Sequence, residues 1–184
     1  MKKVLFYLCV ACMAISFTSC ENEEPSSLDL SSIPTKGKLV GTVYYNSGFN
    51  KTKQEYNYFL PAENQTVYIS VDLSSYTEEP DYRRVKASMP SSSSVKTFKV
   101  TTDASGKYSI DIPVVDGRSV YLYAYVNFDG IQYYENDLGL AQAENGVFSG
   151  ENDTYLYPNG KIVMDIYADS FESVELNPNE DIFK

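Results

Sequence analysis

The chain has 184 residues with 15 basic and 25 acidic side chains, a formal charge of −10, and neither histidine nor tryptophan. The acidic balance argues against nucleic acid as a partner, because affinity for a phosphate backbone comes largely from the Lys and Arg that neutralise it. The missing histidine removes the commonest general base and the commonest metal ligand, and with them any serine–histidine triad.

At the amino terminus Lys2 and Lys3 precede an uncharged, apolar run over residues 4–17, which leads into Phe17-Thr18-Ser19-Cys20. The run is too short to span a bilayer core of about 30 Å. With a basic start and small residues before the cysteine, residues 1–19 read as a secretory signal peptide. The segment ending in Cys20 resembles the lipobox of bacterial lipoproteins, with Phe17 standing where leucine is usual. That resemblance implies lipidation of Cys20, which becomes the first residue of the mature chain. Cys9 and Cys12 leave with the signal, so no thiol remains for a disulfide or a metal. Lys2 and Lys3 leave too, and 13 basic against 25 acidic residues give the mature chain a charge of −12. Lipid contributes about 0.8 kcal/mol per buried methylene, so several chains on one residue anchor the protein without a membrane span.

Glu21, Glu23 and Glu24 directly follow the cysteine. This cluster is similar to the surface-export signal of lipoproteins in certain Gram-negative anaerobes, which implies an outer-membrane location with the domain facing the exterior. Residues 20–36 are rich in Ser, Pro and acidic side chains and read as a tether. At about 3.3 Å per residue its reach is roughly 50 Å.

From residue 37 the apolar period is two, with no sustained helical period. Leu39 to Tyr45 opens the series, and Val67, Ile69, Val71 and Leu73 alternate with polar residues as a half-buried strand. Phe98 and Val100, then Asp103-Ala104-Ser105-Gly106, then Tyr108, Ile110 and Ile112 read as a hairpin. Val120, Leu122, Ala124, Val126 and Phe128 form one face of a strand, Asp129-Gly130 is the strongest short hairpin signal, and residues 131–134 are the expected return. Residues 154–157, Pro158-Asn159-Gly160 and residues 161–168, with Ile162, Met164, Ile166 and Ala168 on one face, close the series. The expectation is an all-β fold, a seven- to eight-stranded antiparallel β-sandwich over residues 37–168, followed by an acidic C-terminal segment over residues 169–184.

Gly37-Lys38-Leu39-Val40-Gly41-Thr42-Val43 and Thr102-Asp103-Ala104-Ser105-Gly106-Lys107-Tyr108-Ser109-Ile110 resemble the two motifs of the carboxypeptidase regulatory-like domain. The resemblance spans roughly residues 37–128 and implies a prealbumin-like (transthyretin-like) sandwich; a fibronectin-like or immunoglobulin-like sandwich is the alternative. Gly106 fits a turn that needs positive φ, and Tyr108 and Ile110 should point inward. The long polar loop over residues 46–64 departs from the compact segment usual in that family.

With Asp129-Gly130 as a tight turn, Tyr125 should pair with Tyr134, placing Tyr121, Tyr123, Tyr125 and Tyr134 on one outward face. Rings two residues apart lie about 6.6 Å apart, a strip able to stack on sugars or grip a protein. Glu78, Glu79 and Asp81, and separately Glu144, Glu151 and Asp153, are loop clusters with calcium-binding chemistry but without a D-x-D-x-D-G spacing. Solvated loop charge is the simpler reading of both. Lys38 has the chemistry for an isopeptide bond, yet residues 161–168 contain no asparagine to receive it. The expected function is a non-catalytic surface lipoprotein, without cofactor or metal, that binds a glycan or a partner protein. A structural or accessory subunit of a surface fibre or an outer-membrane transport complex is the alternative.

Overall fold

The computed structural model describes residues 29–76 and 95–174. The signal, Cys20, the acidic cluster behind it and the loop carboxylates Glu78, Glu79 and Asp81 lie outside the described residues. Ten strands are present among the described residues: β1 (Lys36–Asn46), β2 (Phe59–Pro61), β3 (Thr66–Asp72), β4 (Val95–Thr101), β5 (Lys107–Pro113), β6 (Val120–Glu135), β7 (Ala141–Leu156), β8 (Lys161–Val163), β9 (Ile166–Ala168) and β10 (Ser170–Ser173). They form two facing sheets, one built on β1 and the other ordered β10-β7-β6-β3-β4, so the all-β sandwich is the fold. The strands alternate as their sequences do. Val67, Ile69 and Val71 of β3, Val120, Leu122, Ala124 and Val126 of β6, and Leu39 and Val43 of β1 are fully buried between the sheets.

In the first sheet β1 is central. Lys38 to Val40 lies between β5, which is antiparallel to it, and β8, which is parallel; Tyr44 and Tyr45 lie between antiparallel β2 and parallel β9. The ladder is interrupted at Gly41, where an added Cβ would fall 1.9 Å from the carbonyl oxygen of Met164. Asp165 bridges the gap, its Oδ1 accepting from the Thr42 amide at 2.8 Å, and the Tyr108 hydroxyl donates to Met164 O at 2.6 Å. The expected run over residues 161–168 is therefore two short strands, and they pair in parallel rather than antiparallel.

Residues 103–106 form the turn that their composition indicates. Gly106 has φ of +71°, and Asp103 Oδ1 accepts from the Ser105 and Lys107 amides at 2.7 and 2.9 Å. These bonds hold the Asp103 carboxyl below its usual pKa. The flanking strands do not form the expected hairpin ladder, however. β4 pairs with β3 in one sheet and β5 with β1 in the other, because the Gly106 carbonyl accepts from Val43 and pulls the chain across the sandwich. Tyr108 is buried as expected, while Ile110 is half-buried.

The expected turn at Asp129-Gly130 is absent. β6 continues through it and pairs residue by residue with β7 from Val120–Leu156 to Glu135–Ala141. Gly130 serves packing instead: an added Cβ would lie 2.7 Å from the Phe148 ring, so only hydrogen lets that ring lie over the strand. The turn comes at residues 136–140, where Asn136 Oδ1 accepts from the amides of Leu138 and Leu140 at 3.0 Å each and Gly139 takes φ of +71°. The product is a ribbon longer than its neighbours. The loop after β1 packs along it, with Phe49 buried and the Phe49 amide donating to Tyr133 O at 2.7 Å.

Both ends of the sandwich extend past residues 37 and 168. β10 pairs with β7 through Ser170–Ser149 to Ser173–Gly146. At the other end Leu30, on a single turn of 3-10 helix (Leu30–Ser32), is buried in the main core, and Ile33 packs beside it. Asp29 caps that turn, its Oδ1 accepting from the Ser31 amide at 2.9 Å.

Candidate functional site

The outer face of the β10-β7-β6-β3-β4 sheet carries a second, smaller cluster. Val120, Leu122, Ala124 and Val126 face the core, so Tyr121, Tyr123 and Tyr125 face away from it, as alternation requires. Register sets their neighbours. Glu151 of β7 and Tyr68 of β3 flank Tyr125, and Asp153 and Ser70 flank Tyr123. Tyr125 and Tyr68 stack with centroids 4.9 Å apart and planes 16° apart, and Lys99 Nζ lies 5.1 Å from the centre of the Tyr68 ring.

Two of these rings are not the exposed strip that their spacing suggests. Tyr121 and Tyr123 are only 4% and 7% exposed. Their hydroxyls donate to Asp153 and Glu151, so each reaches diagonally to a carboxylate on β7. Burial first, and then these carboxylates, raise both phenols well above the usual tyrosine pKa. Tyr121 also packs edge-on against Tyr155, with centroids 5.1 Å apart.

Tyr134 is not part of this group. The unbroken β6 register gives it the opposite parity to Tyr121, Tyr123 and Tyr125, and it lies about 30 Å along the strand from Tyr125 at ~3.4 Å per residue. There its hydroxyl donates to Gln142 at 2.7 Å. Glu144, Glu151 and Asp153 are likewise on β7 and not in a loop. Glu151 and Asp153 share the outer face, whereas Glu144 has the other parity and accepts from Ser173. Among the described residues no group of acidic side chains is arranged to hold a metal ion. Lys38 is half-exposed and lies 3.8 Å from Asp111.

At Ser149 the neighbour of β7 changes. β10 pairs with β7 only up to Ser149, and beyond it β9 crosses close to the strand, with the Tyr167 carbonyl 2.3 Å from where a Gly150 Cβ would lie. Asn152 Nδ2 donates to Asp165 O at 2.7 Å and fastens the two strands there. The step leaves a cleft of about 660 Å³, lined by Tyr123, Tyr125, Asn127, Glu151, Tyr167 and Asp169 among others. Such a volume suits a small molecule or a few residues of a polymer, and aromatic walls with a few polar groups are the usual lining of such sites.

Two of the four tyrosines singled out in the sequence, Tyr123 and Tyr125, therefore meet in this cleft. Tyr121 lies one row beyond it. Asn127, Tyr167 and Asp169 were not foreseen. Tyr167 does occupy an outward position on a strand whose Ile166 and Ala168 are buried, and an outward aromatic ring was the available signal. A second opening, of about 730 Å³, lies where Leu30, Phe98 and Pro113 meet.

No protein-family model and no curated protein matches this chain. Two solved structures are similar to it. A protein of Pseudomonas aeruginosa proposed to bind carbohydrate is 15% identical over 71% of this chain and 88% of its own, with a TM-score of 0.35. The shaft pilin of Lactobacillus rhamnosus GG is 13% identical over 74% of this chain and 51% of its own, with a TM-score of 0.31.

Proposed function

We propose that this protein is a non-catalytic, lipid-anchored surface module that binds a glycan in the cleft between β7, β9 and β10. One observation carries the reading: Tyr123, Tyr125 and Tyr167 meet Glu151, Asp169 and Asn127 around one opening. Ring faces suit the C–H faces of sugars, while carboxylate and amide oxygens accept from sugar hydroxyls. The anchor is the lipid on Cys20, and the acidic residues behind it direct the domain to the outer leaflet of the outer membrane. Because Leu30 is buried in the core, the spacer behind Cys20 ends no later than residue 29, with a reach of at most roughly 30 Å at about 3.3 Å per residue.

Calorimetric titration of the mature chain with soluble oligosaccharides tests the site. Glu151→Gln and Tyr125→Ala should each weaken binding about tenfold or more, equivalent to about 1.4 kcal/mol. Because Tyr125→Ala also removes the Tyr68 stack, at a cost of about 1 kcal/mol, its binding is measured well below its melting temperature. Affinity unaltered by both substitutions would sink the assignment. A partner protein is the second reading, favoured by the ribbon tip, where Leu138 and Leu140 are 80% and 56% exposed. Stoichiometric capture of a protein that Leu138→Ser abolishes, with no saccharide bound, would move the function to that tip.

A further inference from the structure

Tyr167 belongs to two surfaces at once. It lines the cleft, and from the outer face of the first sheet it also stacks on Tyr44, with centroids 5.4 Å apart and planes 20° apart. Phe59 meets the same Tyr167 ring edge-on at 5.6 Å. The backbone explains the grouping. Tyr44 and Tyr167 are direct partners in the parallel β1–β9 ladder, and β2, which carries Phe59, pairs with β1 at Tyr44, Tyr45 and Asn46. Val43 and Ile166 are buried behind them, so alternation turns Tyr44 and Tyr167 outward together. Tyr167 is 51% exposed and Phe59 37%. Three rings from three strands thus form an aromatic platform that continues out of the cleft through a shared side chain.

The charge around the cleft restricts what can lie there. The lining has two carboxylates, Glu151 and Asp169, and neither Lys nor Arg. Asp153 stands next to Glu151 on the same face of β7. A ligand carrying carboxylates or sulfates would meet like charge in a partly desolvated opening, which costs affinity, whereas a ligand of neutral hydroxyls meets no such repulsion.

We infer that the protein binds a neutral oligosaccharide across two adjoining subsites, the β7–β9–β10 cleft and the Tyr44–Tyr167–Phe59 platform. The inference rests on the cleft being a glycan site and adds the class of glycan and the direction in which its chain runs. A sugar in the cleft makes the hydrogen bonds to Glu151 and Asp169. The next sugars pass over Tyr167 and lie on Tyr44 and Phe59, held by stacking alone.

The experiment titrates the full mature chain with a ladder of neutral gluco-, xylo- and manno-oligosaccharides, from disaccharide to hexasaccharide. Oligogalacturonates of the same lengths are the charged counterpart. For at least one neutral series, affinity should rise about tenfold or more between the shortest and longest members, and the galacturonates should bind at least tenfold more weakly. The Tyr44→Ser, Phe59→Ser double variant should lose the gain with length, read as the ratio of its own affinities for the longest and the shortest binding members. Its melting temperature is the check on folding, and Tyr44→Phe, which keeps the stacked ring, should retain the gain. Affinity independent of length, or a gain that survives the double variant, overturns the platform and leaves the cleft standing. Tighter binding of galacturonates overturns neutrality. Binding of no saccharide by the wild-type protein removes the cleft reading and this inference together.

Discussion

Replacing Gly41 by alanine tests the join between β1 and the β8–β9 segment. The new Cβ would sit 1.9 Å from Met164 O and 2.9 Å from Tyr108 Cε1. Ordinary contact begins near 3.4 Å, so the Met164 carbonyl must retreat by about 1.5 Å. That retreat breaks or strains three hydrogen bonds: Met164 N to Val40 O at 2.8 Å, Tyr108 Oη to Met164 O at 2.6 Å, and Thr42 N to Asp165 Oδ1 at 2.8 Å. At about 1 kcal/mol each, with about 1–3 kcal/mol for overpacking, the loss is roughly 4–6 kcal/mol. Domains of this kind have about 5–15 kcal/mol in all, and the melting temperature should fall by roughly 10–20 °C. Urea unfolding followed by tyrosine fluorescence reads the loss directly. Gly160→Ala, whose added carbon comes no closer than 3.1 Å to any neighbour, is the control and should cost less than about 1 kcal/mol. Because β9 begins two residues past Met164 and carries Tyr167, Gly41→Ala should also weaken saccharide binding. A loss below about 1 kcal/mol at Gly41 would refute the argument that this glycine is dictated by the Met164 carbonyl.

Two further expectations concern protonation and attachment. Tyr76, Tyr108, Tyr121 and Tyr123 have phenols raised mainly by burial, so the folded chain retains protons that the unfolded chain loses above about pH 10. The contribution of these four groups to stability should be level below that pH and fall as pH rises further, with their phenolates appearing in the absorbance only as the fold is lost; smooth ionisation of every tyrosine in an intact fold would contradict this. Cys20→Ser should shift the protein from the membrane fraction of cells to the soluble fraction, and unchanged sedimentation with membranes would rule out the lipid anchor.

Local alternation made the inner faces of β1, β3, β5 and β6 readable in the sequence, because each strand there follows the period of two against a single core. Gly106 was readable for the same local reason: a turn with an aspartate three residues earlier needs its positive φ. Pairing was not readable. The Asp129-Gly130 dipeptide has the composition of a tight turn, yet Phe148, eighteen positions later, uses the missing side chain of Gly130 as a seat for its ring. Asn136 and Gly139 carried a weaker signal and make the turn. The turn over residues 103–106 showed its shape but not its role, since whether it joins neighbours or crosses between sheets depends on which strand reaches the Gly106 carbonyl. Tyr121 and Tyr123 were placed on the correct face, but their burial depends on neighbours from elsewhere in the chain. The cleft exists because β10 stops at Ser149, and no residue near Ser149 announces where its neighbour will end.

The central position of β1 has a mechanical consequence. Residue 36 is where the chain enters the first sheet, and from there β1 is bonded along one edge to β5 over seven successive residues and along the other to β8 and β9. A pull along the strand from that end loads these ladders in shear, so many bonds must yield together rather than one after another. A domain built in this way resists a pull along its first strand.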